Sequence, residues 1–118
     1  MPERAKVFVA EDDPDFLDTL QFELEDAGHT ITLTATSLES ALSAVGNFQE
    51  LGIQVAIIDG NLKQDVYSGV DGRQIVSAIR SVVLGVKIIG MSANSIPGVD
   101  VDLGKARVQE VGKVVTEL

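Results

Sequence analysis

Apolar residues along this chain follow two alternating patterns. Short continuous runs, such as Val7-Phe8-Val9-Ala10 and Val55-Ala56-Ile57-Ile58, have the length of buried strands, and the stretches between such runs carry apolar residues at helical spacing. That alternation is typical of a parallel sheet covered by helices on both faces. We predict strands at residues 6–10, 30–34, 54–58, 86–91 and 99–103. The predicted fold class is therefore α/β.

Capping residues indicate where the helices begin. Asp13 precedes Pro14, whose fixed φ suits the first helical position, and Ser37 precedes a second apolar stretch of helical period. Gly28 is expected to end the first helix, and His29 beside it is predicted to be a surface turn residue. The predicted buried faces of the four helices are Leu17, Leu20, Leu24 and Ala27; Leu38, Ala41, Leu42 and Val45; Ile75, Val76, Ile79, Val82 and Val83; and Val108, Val111, Val115 and Leu118.

Composition limits the kind of protein this can be. The 118 residues, 45% of them apolar, predict a single domain over residues 1–118. A net charge of −9 with nine scattered basic residues argues against a nucleic-acid or anionic-membrane surface. The absence of cysteine excludes thiolate chemistry and disulfides. No apolar run approaches the 18 or so residues of a membrane span, so we expect a cytoplasmic protein.

Polar residues follow the predicted strands. Glu11 and Asp12 follow the first strand and Asp59 the third, and Ser92 and Lys105 come just after the fourth and fifth. Ligand sites of open α/β sheets lie beyond the carboxyl ends of the strands, so we expect these side chains to meet there. Two carboxylates about 5 Å apart repel by about 3 kcal/mol at an effective dielectric of about 20, so the cluster needs a cation or a proton. Mg²⁺ is the predicted ion, because it prefers oxygen ligands.

The same set of groups suits one reaction in particular. A carboxylate nucleophile, a metal held by further carboxylates, a hydroxyl and an ammonium are what the transfer of a phosphoryl group to an aspartate requires. The dianionic group must be neutralised on several sides as it is transferred. The sequence therefore predicts a phosphoryl-transfer site at the carboxyl edge of the sheet.

Nearly the whole chain resembles a response-regulator receiver domain of two-component signalling, of the chemotaxis-regulator type. The matching features are the acidic pair Glu11-Asp12 after strand one, Asp59 at the end of strand three, Asn61 two residues later, Asp71-Gly72 at the start of helix three, Ser92-Ala93 after strand four and Lys105 after strand five. The resemblance implies a flavodoxin-like, doubly wound sheet with strand order 2-1-3-4-5.

The resemblance also assigns roles to these residues. Asp59 would be the phosphoacceptor, and Glu11, Asp12, Asp59 and the backbone carbonyl of Asn61 would hold Mg²⁺. Ser92 and Lys105 would contact the phosphoryl oxygens. The implied partners are a histidine kinase or histidine phosphotransfer protein and a downstream effector protein or domain, with no direct contact to nucleic acid or membrane.

Several positions depart from the pattern of this family. The family's Lys-Pro is here Lys105-Ala106, and Asp102 replaces an aromatic residue that is common on strand five. Only 12 residues separate Ser92 from Lys105, whereas a helix, a strand and two loops need about 20. The helix between strands four and five is therefore predicted to be absent or very short. In this family phosphorylation commonly changes the surface that includes that helix. Here we expect it to change segments 92–98 and 63–70 instead, because both contain few core residues.

Two other functions remain open from the residues. A pseudo-receiver would bind a partner without being phosphorylated. The alanine in place of the family's proline after Lys105, and the missing helix, favour this function. A small phosphatase similar to the haloacid dehalogenases would use Asp13 and Asp15, which follow the first strand as Asp13-Pro14-Asp15. These two acids suit a helix cap and a first helical turn better. We expect a signalling module rather than an enzyme.

Overall fold

The computed structural model describes residues 4–59, 70–83, 85–92 and 96–118. Within these ranges five parallel strands form one sheet in the order β2-β1-β3-β4-β5. The strands are β1 (Lys6–Ala10), β2 (Thr30–Ala35), β3 (Val55–Ile58), β4 (Lys87–Gly90) and β5 (Val101–Asp102). The α/β class and the 2-1-3-4-5 order are therefore confirmed, and β5 is shorter than predicted.

The helices follow the strands as the apolar spacing predicts. They are α1 (Pro14–Asp26), α2 (Leu38–Val45), the single turn α3 (Phe48–Leu51), α4 (Val70–Val82), a 3-10 helix (Lys105–Glu110) and α5 (Val111–Glu117). Helix α4 is the predicted third helix, and the turn α3 was not predicted. Both predicted caps are confirmed. The Asp13 side chain accepts from the backbone N–H of Asp15, and Ser37 forms a reciprocal capping box with Ser40.

The sheet separates two apolar clusters. Helices α1 and α5 cover one face, and α2 and α4 cover the other. Two predicted core residues are exposed instead, Leu42 at 38% and Val82 at 63%. In α2 the buried residues are Ala41, Ala44 and Val45, which belong to the same apolar cluster as Phe48 of α3. Val82 lies on the side of α4 away from the sheet.

His29 is buried, and its prediction as a surface turn residue is wrong. Only 2% of its surface is exposed. Its Nδ1 accepts a hydrogen bond from the backbone N–H of Ala5 at 3.0 Å, so the ring proton lies on Nε2. Nε2 lies 2.9 Å from Thr116 Oγ1 and 3.3 Å from the carbonyl oxygen of Gly112. The imidazole therefore links the entry to β1 with α5.

The connection from β4 to β5 contains no helix in its described parts, 91–92 and 96–100, as predicted. Ile96 is only 3% exposed and belongs to the core cluster under α2 and α4. Segment 92–98 is expected to contain few core residues, and Ile96 is one that anchors it. The other expected switch segment is 63–70, and its residues 63–69 lie outside the described part of the chain.

Arg80 of α4 holds the end of this connection. Its guanidinium donates to the carbonyl of Val86 at 3.0 Å, to the carbonyl of Gly98 at 2.9 Å and to Asp100 Oδ2 at 2.8 Å. Asp100 also accepts from the backbone N–H of Ile88 at 2.8 Å. Burial opposes the charge of Asp100, but the hydrogen bonds from Arg80 and the Ile88 N–H, together with the charges of Arg80 and Lys87, outweigh it and lower the pKa of that carboxyl. The described segment 96–100 is thus tied to α4.

Candidate functional site

Three carboxylates meet at the carboxyl edge of the sheet. Strands β1 and β3 are parallel neighbours, with Ala10 opposite Ile58, so the residues that follow them are brought together. Oxygen atoms of Glu11, Asp12 and Asp59 all lie within 4.8 Å of one another. Glu11 and Asp59 are buried, and Asp12 is half-buried. The predicted convergence of these acids is confirmed.

Glu11 lies in an environment that disfavours its charge. Its Oε1 accepts from the backbone N–H of Asp13 at 3.1 Å. Its buried Oε2 has no hydrogen-bond partner among the described residues. Burial, and next the charge of Asp59, raise the pKa of Glu11 from its ordinary 4.5 to about 7, against the opposing effects of Asp13 and Lys105. The cluster is thus short of positive charge in spite of a nearby lysine.

Lys105 is the positively charged residue that the structure shows beside these carboxylates. Its Nζ lies 3.3 Å from Glu11 Oε1 and 3.4 Å from Asp59 Oδ2. Burial opposes the charge of Lys105, but the attraction of Asp59 and then Glu11 outweighs it and raises the pKa of the ammonium. The prediction that Lys105 approaches the carboxylates is confirmed.

The backbone before Lys105 has a conformation that favours glycine. Gly104 has φ 81° and ψ 153°, a region that residues with a Cβ rarely enter. The N–H groups of Leu103 and Gly104 both donate to the carbonyl of Gly90, at 2.9 and 3.2 Å. These contacts turn the chain at the end of β5 so that Lys105 begins the 3-10 helix beside the carboxylates. The peptide bond after Lys105 is trans.

Phe16 is a site residue that sequence reasoning missed. The Nζ of Lys105 lies over its ring, 4.9 Å from the centroid. Phe16 is the third residue of α1, is half-buried and packs against the apolar cluster under α1 and α5. Nothing in the apolar periodicity separates Phe16 from an ordinary packing residue, so the contact becomes visible only when α1 and the 3-10 helix are seen side by side.

The remaining predicted site residues are located less completely. Ser92 is 9% exposed and comes just after β4, the strand next to β3, which places it at the same edge as Asp59. Its predicted contact with a phosphoryl group stays a prediction. Asn61 lies outside the described residues, so its predicted role as a carbonyl ligand also stays a prediction.

The donor set fits a hard divalent cation. Every ligand atom offered by Glu11, Asp12 and Asp59 is a carboxylate oxygen, the type that Mg²⁺ prefers. The buried Oε2 of Glu11 without a described partner is a group whose desolvation a cation would offset. Histidine and cysteine ligands are lacking in this group, which argues against a zinc site.

Among the helices that the structure describes, none is both long and apolar enough to span a bilayer. No protein-family model and no curated relative matches the chain. Solved structures do match it.

The signal receiver domain of the response regulator NarL from Mycobacterium tuberculosis superposes with a TM-score of 0.70 at 21% identity, over 98% of each chain. The non-phosphorylated receiver domain of RcsB from Escherichia coli has a TM-score of 0.72 at 20% identity, over 96% of this chain and 91% of that one. A DNA-binding response regulator of the LuxR family from Staphylococcus aureus has a TM-score of 0.73 at 19% identity, over 96% and 97%. The chain has the fold of these receiver domains.

Proposed function

We propose that this chain is a phosphoacceptor receiver domain in which Asp59 accepts a phosphoryl group from the phosphohistidine of a kinase or phosphotransfer protein. The observation that carries the proposal is the meeting of Glu11, Asp12 and Asp59 beside Lys105 at the carboxyl edge of the sheet. A helix cap or a solvated acidic patch does not require two of its acids to be buried. A metal site for phosphoryl transfer accounts for them, because a bound cation offsets the desolvation and mutual repulsion of buried carboxylates.

Each residue has a distinct part in this reaction. A carboxylate oxygen of Asp59 attacks phosphorus, the P–O bond forms as the P–N bond breaks, and the histidine nitrogen leaves with the electron pair. Lys105 and Ser92 donate hydrogen bonds to the phosphoryl oxygens, and charge assistance makes that of Lys105 the stronger. Mg²⁺, held by Asp12, Asp59 and the Asn61 carbonyl, with Glu11 bound directly or through water, would supply further neutralisation of that group.

The proposed output is a change in the affinity for an effector protein or domain. The segment 96–100 follows Ser92 by a few positions along the chain and is held to α4 by Arg80. A shift of this segment on phosphorylation would alter the exposed surface beside α4. Receiver domains commonly use the helix between strands four and five for this purpose, and the described part of that connection here has none.

The test is phosphorylation by acetyl phosphate in the presence of Mg²⁺, followed by intact mass spectrometry. The wild-type protein should gain one phosphoryl group that is stable in acid and labile in base. Asp59→Asn should gain none, because an amide is not a nucleophile here. Asp18→Asn makes the same chemical change at an exposed position of α1 and should behave as wild type. Stoichiometric, base-labile phosphate on Asp59→Asn would contradict the assignment.

One observation favours a second function, that of a partner-binding module that is not phosphorylated. Lys105 already pairs with both Glu11 and Asp59, so a cation of the chain itself partly neutralises the cluster. An NMR titration with Mg²⁺ and then beryllofluoride separates the two functions. Shifts at residues 10–13 and 58–59 support the phosphoacceptor, and unchanged amides support the binding module.

The phosphatase alternative has little support from the geometry. Asp13 is exposed, and its Oδ1 accepts the backbone N–H of Asp15 at 3.0 Å as the cap of α1. Neither acid belongs to the carboxylate cluster of the described residues.

A further inference from the structure

The Lys105 ammonium touches three described groups, and only one of them would bind neither a metal ion nor a phosphoryl group in the proposed reaction. Glu11 lies at 3.3 Å and Asp59 at 3.4 Å, and these two carboxylates are the groups that a metal ion and a phosphoryl group would bind. The ring of Phe16, with its centroid at 4.9 Å, is uncharged and takes no part in either event. The aromatic contact is therefore the one that can persist through the whole cycle.

Lys105 gains from such a contact, because its own side chain and backbone constrain its position little. Its side chain is 41% exposed, and lysine is a flexible, strongly hydrated point charge on a four-carbon stem. Its backbone belongs to a 3-10 helix, a weaker element than an α-helix, and Arg107 inside that helix has non-helical φ and ψ. An ammonium held only by the two carboxylates would lose its position as soon as either found another cation.

Phe16, in contrast, is held firmly. The Asp13 cap and Pro14 fix the first turn of α1, in which Phe16 is the third residue. Its ring packs against the apolar cluster under α1 and α5, and the 3-10 helix packs on α1. The face of an aromatic ring attracts a cation without fixing a donor direction, so the ammonium can turn from a carboxylate to a phosphoryl oxygen while it stays over the ring.

We propose that Phe16 is a positioning residue for phosphoryl transfer, whose ring face holds the Lys105 ammonium at the edge of the sheet in both the free and the phosphorylated protein. This role rests on the proposed phosphoacceptor function of Asp59. The direct contact with Lys105 is independent of that function and is measured separately.

The first measurement is the NMR shift of the Lys105 ε-methylene protons in the unphosphorylated protein. A methylene group next to an ammonium over an aromatic face is shifted upfield by the ring current. Phe16→Leu should abolish the upfield shift and Phe16→Tyr should retain it. Phe22→Leu, the same change at a 68% exposed position of the same helix, should leave it unaltered. An unshifted methylene in the wild-type protein overturns the proposal.

The second measurement is the beryllofluoride affinity in saturating Mg²⁺. Phe16→Leu should weaken it about fivefold, the factor that corresponds to about 1 kcal/mol for a partly exposed cation–π contact. Phe16→Tyr should restore it and Phe22→Leu should not change it. In a Lys105→Met background Phe16→Leu should have no further effect, because the ring then has no ammonium to hold.

Two outcomes of the second measurement are informative in different ways. An equal loss with and without Lys105 shows that Phe16 acts through the fold, and it overturns the proposal. No binding of beryllofluoride by the wild-type protein refutes the phosphoacceptor function, whereas the methylene shift still decides whether Phe16 holds Lys105. Thermal unfolding verifies that each variant is folded, and Phe16→Met replaces Phe16→Leu in both measurements if the latter is not.

Discussion

Replacing Glu11 by glutamine should stabilise the metal-free protein at alkaline pH. The pKa of this buried carboxyl is raised from 4.5 to about 7, chiefly by burial and next by Asp59. Below pH 4.5 Glu11 is protonated in both the folded and the unfolded chain. Between the two values the unfolded chain releases a proton that the folded one keeps, so the free energy of unfolding falls as the pH rises through about 7.

The size of the effect follows from the two pKa values. The full difference corresponds to at most about 3 kcal/mol, less where water screens the group, and most of it should be lost between pH 5 and pH 8. Glutamine has no proton to lose, so Glu11→Gln should show none of this loss. At pH 8 the variant should be the more stable protein, and at pH 5 the two should be nearly equal.

Urea unfolding in EDTA at pH 5 and pH 8 measures this difference. With a slope of about 1–3 kcal/mol per molar urea for a protein of this size, the midpoints at pH 8 should differ by about 1–2 M. Glu117→Gln makes the same change at an exposed position of α5 and should leave both midpoints unaltered. Other groups also titrate in this range, so the quantity compared is the difference between wild type and variant.

The reasoning is refuted if the difference between wild type and Glu11→Gln is the same at both pH values. It is also refuted if the variant is the less stable protein at pH 8, because the ionised carboxylate would then be favourable in the folded state. Adding Mg²⁺ at pH 8 should stabilise the wild-type protein and narrow its gap to the variant, since a bound cation relieves the same repulsion.

Three further substitutions test packing and hydrogen bonding by urea unfolding. Gly112→Ala would place a Cβ 2.6 Å from Ala27 Cβ and should destabilise the protein by about 1–3 kcal/mol. The control Gly46→Ala meets only an ordinary van der Waals contact and should be close to neutral. Equal urea midpoints for the two variants would show that α1 and α5 can separate freely. His29→Leu leaves the Ala5 N–H without its buried partner and should cost about 2 kcal/mol, and a neutral result would contradict the observed imidazole link. Arg80→Met should cost about 1–2 kcal/mol and raise hydrogen exchange in segment 96–100, whereas Arg107→Met, at an exposed pair, should change neither.

The sequence alone determined the strands, the caps and the acidic ends of the strands. Buried strands need continuous apolar runs, and such runs are local features that can be read directly, as at Val55–Ile58. The Asp13 and Ser37 caps are also local, because each side chain bonds a backbone N–H within three residues of itself. Parallel pairing of β1 and β3 then brings Glu11 and Asp59 together, and this follows from topology alone.

Only the tertiary structure decided which way the amphipathic elements face. Leu42 and Val82 fit an apolar helical spacing but lie outside the buried stripe, because the rotation of a helix is set by the sheet and helices around it. His29 looks like a turn residue, yet its partners at Ala5 and Thr116 are 24 and 87 positions away in the chain. Hydrogen bonds over such separations leave no local pattern.

The electrostatic state of the site also depended on the three-dimensional arrangement. Sequence reasoning placed Lys105 near the acids, but the burial that raises the pKa of Glu11 arises from the packing around it. The ring of Phe16 reaches the ammonium only because α1 and the 3-10 helix pack together. Strand ends predict which charges meet, whereas solvent exclusion and aromatic contacts are decided when the elements pack against one another.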